Sequence, residues 1–412
     1  MFVAIKTVIA LLSLMILAVA AFSGRDLLSY IRKGFWTRRL TTTLTLAGIT
    51  LVVFVFAAVL MLAHGVEETL VQTGSDENVI VLRRSATTEL VSQIDRDAAN
   101  IIKTQPEIAV GQDGKPLAST EVYVVINLHK KQSNDMANVS VRGISPAALQ
   151  IRPQVTVTSG RVFQFGTREI MIGSNVAKQF QECEIGKQLY FGNDHWTIVG
   201  IFSAQGGAFE SEIWGDVDQL SVAFGRPVFS SMTFRMTRPD QLDTVKAHLQ
   251  KDPRTQYVEL KREREYYREQ SQLMADFISI LGLIVTFIFS IGAMIGAMIT
   301  MYAAVANRTI EIGTLRALGF RRRNILSAFL VESIVLSVVG GICGILLASL
   351  MVFVRISTVN FGTFSELAFG FTLSPSIIFW TMVFSIAMGI VGGFLPAVRA
   401  SRLNIVNALR TS

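Results

Sequence analysis

The sequence predicts an α-helical membrane protein carrying one α+β domain outside the membrane. Three observations predict it. Half of the 412 residues are hydrophobic and the mean hydropathy is +0.45, more apolar surface than a soluble chain of this length can bury. The excess is gathered into blocks, Val3–Phe22, Leu44–His64, Phe277–Val305, Ile325–Val354 and Pro375–Pro396, each near the ~20 residues a helix needs to cross the hydrocarbon core. Between the second and third blocks, residues 66–276 have ordinary globular composition and are numerous enough to form a core of their own.

The first element, 1–24, reads as an N-terminal transmembrane helix. Ala18-Val19-Ala20 also fits a signal-peptide cleavage site. Cleavage there would send the following basic cluster outward, against the rule that Lys and Arg stay cytoplasmic, so an uncleaved helix is favoured. Residues 25–43 come next. Leu28, Ile31 and Phe35 share a face away from Arg25, Arg32 and Lys33, the pattern of an amphipathic helix at the cytoplasmic interface or of a plain basic linker.

Orientation follows from the short loops. Arg38 and Arg39 precede the second span (44–65), Arg308, Arg316 and Arg321–Arg323 lie between the third and fourth, and Arg399, Arg402 and Arg410 follow the fifth. Five crossings put all three clusters on one side, the cytoplasm. The net charge of +7 is thus a topology signal with some attraction to membrane lipids, and no nucleic-acid partner is implied.

Within 66–276, strand-like runs occur at 78–82, 121–127, 138–142, 169–172, 188–191, 197–202 and 231–235, rich in Val, Ile, Phe and Thr. Helical patterns occur at 88–104, 175–180, 217–224 and 239–250, and this mixture is an α+β domain. Residues 261–276 are charged, yet Tyr266, Tyr267, Gln270, Leu273 and Met274 recur at helical spacing and run unbroken into the third span (277–306). That end reads as a helical stalk or as a solvated charged helix. Phe163, Phe165, Phe209, Ile213 and Trp214 are candidates for an apolar contact surface, with burial in the domain core the favoured reading.

In the third and fourth spans (277–306 and 325–356), Gly292 with Gly296 and Gly340 with Gly344 repeat at four-residue intervals, the spacing that lets helices pack closely in lipid. Glu332 is the one acidic residue inside a span, near its cytoplasmic end, where it can serve function or simply pair with Arg321–Arg323. A loop at 357–374 and a fifth span at 375–396 lead to a tail at 397–412.

Residues 307–324 carry the functional expectation. Ile312, Leu315 and Leu318 repeat every three residues, and Gly319 is placed to end a short helix before a basic run. Apolar anchors with flanking charge suit a helix that docks in a partner's groove. The expected contacts are Glu311, Ile312, Leu315, Arg316 and Leu318. No catalytic or metal site is legible: the four histidines are scattered, Cys183 and Cys343 are too far apart in the topology to pair, and Glu182 and Glu184 would raise the Cys183 pKa. No G-x-x-x-x-G-K-(S/T) phosphate loop occurs, so no cofactor is expected in this chain.

RTIEIGTLRALGFRRRNIL (308–326), PAVRASRLNIVNALR (396–410) and RRLTTTLTLAGI (38–49), together with VTSGRVF, EIMIGSNVAKQF, IGKQL and WTIVGIF, resemble the permeases of the MacB/FtsX type from about residue 29 onward. The resemblance implies a MacB-like (type VII ABC) permease in the inner membrane, its large domain periplasmic with an insertion near 155–215, and an extra N-terminal helix ahead of four standard spans. It further implies a second permease copy, identical or homologous, and two copies of an ABC ATPase on a separate chain. That ATPase would bind ATP and Mg and drive the permease by mechanotransmission through a coupling helix at 307–324. A periplasmic adaptor with an outer-membrane duct would make it an exporter. Extraction of lipoproteins or lipids, and FtsX-like regulation of a periplasmic enzyme, are the other implied roles, and the chain itself is expected to be non-catalytic.

Overall fold

The computed structural model describes residues 39–360 and 363–403. The extra first span, the amphipathic segment up to residue 38 and the end of the 396–410 motif lie outside the described residues. In chain order the elements are α1 (Arg39–Val71), β1 (Asn78–Arg83), α2 (Arg96–Lys103), β2 (Ala118–His129), β3 (Met136–Ile144), α3 (Ala147–Ile151), β4 (Thr156–Gly160), β5 (Glu169–Gly173), α4 (Ser174–Gln179), β6 (Gln188–Phe191), β7 (Asp194–Ser203), β8 (Glu212–Asp216), α5 (Val217–Ala223), β9 (Ser231–Arg235), α6 (Leu242–Lys251), β10 (Val258–Arg262), α7 (Glu263–Asn307), α8 (Thr309–Ala317), α9 (Arg322–Ser349), β11 (Arg355–Val359), β12 (Glu366–Gly370) and α10 (Pro375–Ser401). Two compact units result. One is helical and holds the described residues up to His64 with 277–354 and 371 onward; the other holds Gly65–Asp276 with Arg355–Gly370.

In the helical unit, α1, α7, α9 and α10 are long and apolar enough to cross a membrane. Ser374 caps α10 by accepting from the Ile377 amide, and Pro375 sits where a helix lacks a partner for its N–H. Close approach sets the packing of α9. A Cβ on Gly340 would meet Ile49 at 2.7 Å, one on Gly344 would meet Val53 at 2.9 Å, and one on Gly389 of α10 would stand 2.1 Å from Ser337 Oγ. Ser333 and Ser385 donate to the carbonyls of Gly389 and Ser337 at 2.6 and 2.5 Å. Small residues thus seat one backbone against the next and satisfy hydroxyls across it. Gly292 and Gly296, expected to pack in the same way, meet nothing within 4 Å. Among the described residues, both lie on an exposed face of α7.

The other unit is built on a ten-stranded sheet in the order β10-β1-β9-β2-β3-β8-β5-β7-β4, with β6 also on β7. Pairing is antiparallel except for β3–β8 and β5–β7. Alternation along the strands sends Val79, Val81, Val122, Val124, Val139 and Val141 into one apolar core, closed by Ile102 of α2, Leu220 of α5 and Val245 of α6. The segment 88–95 is turn rather than the start of α2, and Lys261 and Arg262 finish β10 rather than begin a helix, since they pair with β1 through Ile80 and Val79. Residues 357–374 are more than a loop: β11 and β12 form a hairpin. The hairpin belongs to this unit, where the Ala368 amide bonds Ser211 Oγ at 3.2 Å, Asn138 donates to the Phe364 carbonyl at 2.7 Å, and Lys130 pairs with Glu366. Phe163, Phe209, Ile213 and Trp214 are buried. Phe165 is half-buried, so these five make no open apolar patch.

Candidate functional site

The α8 helix begins one residue after α7 ends. Arg308, at the break, donates to Glu332 of α9 at 3.0 Å, and both side chains are largely buried. This is the partner of the intramembrane carboxylate; the Arg321–Arg323 run does not supply it. At the other end Gly319 takes φ of +95°, a left-handed turn that closes the helix after Leu318.

The expected contact residues divide. Ile312 is 1% exposed and packs with Met301, Val305, Ile325, Phe329, Ala397 and Ala400. It anchors α8 to its own helical unit and is not available to a partner, which corrects its expected place in the docking surface. The physical reason is angular. At about 100° per residue, six residues separate Ile312 from Leu318 by about 120°, so a three-residue repeat cannot stay on one face. Leu318 is 73% exposed, Ile310 52% and Phe320 49%. Glu311 is exposed, while Leu315 and Arg316 are half-buried. The outward face is therefore Ile310, Thr314, Ala317 and Leu318, with Phe320 beyond the cap. Ile310 and Phe320 were missed because the wrong period was followed; spacing of four and seven residues from Ile310 would have found the face.

In the sheet unit, a second constellation went unread. Arg142 donates to both oxygens of Glu89 at 2.6 and 2.8 Å, to both of Glu212 at 2.8 and 2.9 Å, and to Glu121 at 2.7 Å. Arg152 reaches Glu121 at 2.5 Å and Glu263 at 3.2 Å. Each of these six side chains is at least nine-tenths buried, and Phe209 lies against both guanidiniums. Burial acts to raise the Glu89 pKa, but Arg142 outweighs it and holds the group below the ordinary carboxylate value. For Glu212 burial prevails over Arg142, and its pKa is raised. Burial likewise pushes the Cys183 thiol up to about 12, which leaves it inert as a nucleophile. Among the described residues no group of His, Cys, Asp and Glu could hold a metal ion.

With the geometry in place, comparison with known proteins decides the family. The MacB-like periplasmic core domain matches residues 42–252, and the FtsX-like permease C-terminal domain matches residues 283–405. The chain belongs to the MacB/FtsX permease family. It is 26% identical to the ABC transporter permease YknZ of Bacillus subtilis over 90% of this chain and 95% of that protein. It is 27% identical to the macrolide export ATP-binding/permease protein MacB of Bdellovibrio bacteriovorus over 95% of this chain, but spans only 63% of that relative. The periplasmic region of MacB from Actinobacillus actinomycetemcomitans superposes on 48% of this chain and 94% of that structure at 11% identity, with a TM-score of 0.35. As a permease of this family, the chain is a membrane protein of the ABC-transporter class. The FtsX-like match includes α8, and the MacB-like match includes strands β1 to β9 of the ten-stranded sheet.

Proposed function

We propose that this chain is the inner-membrane permease subunit through which a separate cytoplasmic ATPase drives export by mechanotransmission. The observation that carries the reading is the outward apolar face of α8, which is held from behind by buried Ile312 and beside it by the Arg308–Glu332 pair. A helix so fixed to the ends of three spans passes force rather than yielding to it, and its free face has the anchors a groove requires. Two ATPases, each binding ATP and Mg, would act on two permease copies, and closure of the ATPases would bring the two α8 helices together. The large unit would be periplasmic, where an adaptor could join it to an outer-membrane duct.

The likeness to a macrolide export protein supports export over lipoprotein extraction and over regulation of a periplasmic enzyme, without naming a substrate. The reading is tested by Glu311→Arg and Arg316→Glu in the chain purified from native membranes. Each is expected to reduce the ATP-binding-cassette ATPase recovered with the permease and to uncouple its turnover. Full recovery and coupling in both variants would overturn the assignment.

A further inference from the structure

Strand β10 ends at Arg262 and α7 begins at Glu263 with no residue between them. A strand that turns directly into a helix of 45 residues is a natural pivot, because only a few backbone dihedrals set the helix direction. The side chains at the start of α7 bear on that pivot. Glu263, Tyr266, Tyr267 and Gln270 stand at i, i+3, i+4 and i+7, one stripe of a helix. Glu263 accepts from both Arg152 and, at 3.1 and 2.8 Å, from the Ser75 amide and Asn78 Nδ2. Tyr266 Oη accepts from the Glu89 amide at 3.1 Å and from Gln270 at 2.5 Å. Tyr267 lies edge-on to Phe209. Gly74 adds a close approach: a Cβ there would stand 2.7 Å from the Arg264 nitrogen. The segment that follows α1 and the first turn of α7 therefore meet at one carboxylate.

Two guanidiniums buried with four carboxylates are a poor way to gain stability, since apolar side chains of the same volume would do as well or better. What such a cluster does supply is a single permitted arrangement. An apolar helix face can slide or tilt and stay covered, whereas any tilt of α7 strips Glu263 and Arg152 of partners they cannot replace in the interior. We infer that the Arg142–Arg152 network clamps the β10–α7 junction, so that residues 263–276 and the sheet move as one body. In the context of the proposed function, on which the purpose of the clamp rests, this prevents a stroke along α7 from being lost in bending at the pivot.

The test uses the full chain in lipid nanodiscs, with both native cysteines replaced by alanine. Spin labels are placed at the exposed positions Arg268→Cys and Asp243→Cys, and backbone hydrogen exchange is measured in parallel. The parent should give one narrow distance distribution. Glu263→Met should at least double its width and speed exchange at 264–271 by tenfold or more, leaving β2 and β9 amides unchanged. Glu263→Gln, which keeps an acceptor for Ser75 and Asn78, should restore the narrow distribution. If Glu263→Met does not fold, the Tyr266→Phe, Gln270→Leu pair removes two hydrogen bonds at nearly constant volume and is read in the same way. A folded variant with unchanged width and exchange overturns the clamp, as does loosening of 264–271 only in step with β2 and β9. Neither readout needs an ATPase or a substrate, so failure here leaves the proposed function standing. Full ATPase recovery and coupling in both the Glu311→Arg and Arg316→Glu variants would sink that function alone.

Discussion

The two faces of α8 make opposite predictions for neighbouring leucine-class residues. Leu318 is 73% exposed, so Leu318→Ser should leave the permease as stable as its parent. Full burial of such a side chain is worth about 1.5–3 kcal/mol, and the exposed share brings this to roughly 1–2 kcal/mol at a partner, or about 5- to 30-fold in affinity. Ile312 is 1% exposed, and Ile312→Ala should cost about 2–5 kcal/mol of stability by opening a cavity beside Phe329 and Ala397. The assay is a titration of the ATPase that co-purifies from native membranes against the permease in nanodiscs, with thermal melting run alongside. Weaker binding with unchanged melting for Leu318→Ser, and lowered melting for Ile312→Ala, is the expected pair. If Leu318→Ser and Phe320→Ser both bind at parental affinity, the outward face of α8 is not the docking surface.

The remaining expectations concern packing and charge. Gly389→Val, which drives a side chain into Ser337, should lower the melting temperature in detergent by an amount equivalent to about 1–3 kcal/mol, whereas Gly292→Val should not, since no described residue lies near it. Arg142→Met should cost about 3–5 kcal/mol by leaving Glu89 and Glu212 buried without their counter-ion, read as a drop in the urea midpoint. The pH dependence has two limbs of opposite sign. Glu212 has a raised pKa, so the folded state takes up a proton first, and stability rises as pH falls from neutral towards the ordinary value of 4.5. Glu89 has a lowered pKa, so its contribution is intact above 4.5 and lost as pH falls through its folded value. The urea midpoint followed by Trp196 and Trp214 fluorescence should peak at mildly acidic pH, and Glu212→Gln should abolish the rising limb; a midpoint that falls steadily from pH 7 would contradict both signs.

The strands legible in the sequence were runs rich in Val, Ile, Phe or Thr. NVIVL, EVYVVIN and NVSVR announce themselves by that richness, and they are β1, β2 and β3. EIWGD, the β8 strand, gives a weaker sign because Ile213 and Trp214 stand alone among Glu, Gly and Asp. VELKR, the β10 strand, is hidden by its charges, which suit an edge strand that must not recruit another chain. Alternation by itself misleads in a specific way. Glu121 and Tyr123 of β2, Ser140 and Arg142 of β3, and Ser231 and Thr233 of β9 occupy the polar register that ordinarily faces water, yet all are buried. A pattern in one strand reports which residues share a side of the sheet, but not what covers that side. Only the assembled chain brings Glu89, Glu263 and the hairpin over it. In α8 the residue types were read correctly and the angle between them was not.

The same contrast explains why the two units are specified by different means. Between helices in a bilayer there is little hydrophobic gain to be had, because lipid tails are as apolar as leucine, so identity of fit must come from size. Gly340 against Ile49 and Gly393 against Ser333 are contacts of that kind, and one added methyl group fills either. In the sheet unit, the apolar face built on Val81, Val122 and Val141 supplies stability but tolerates exchange of one aliphatic side chain for another. The opposite face admits no such exchange, because each guanidinium and carboxylate is already fully committed. Changes of size at constant polarity should therefore damage the spans, and changes that strip a buried hydrogen-bonding partner at constant size, such as Arg142→Met, should damage the sheet unit. The proposed role of carrying displacement would gain from both, since each removes the freedom to rearrange that would absorb a stroke before it arrives.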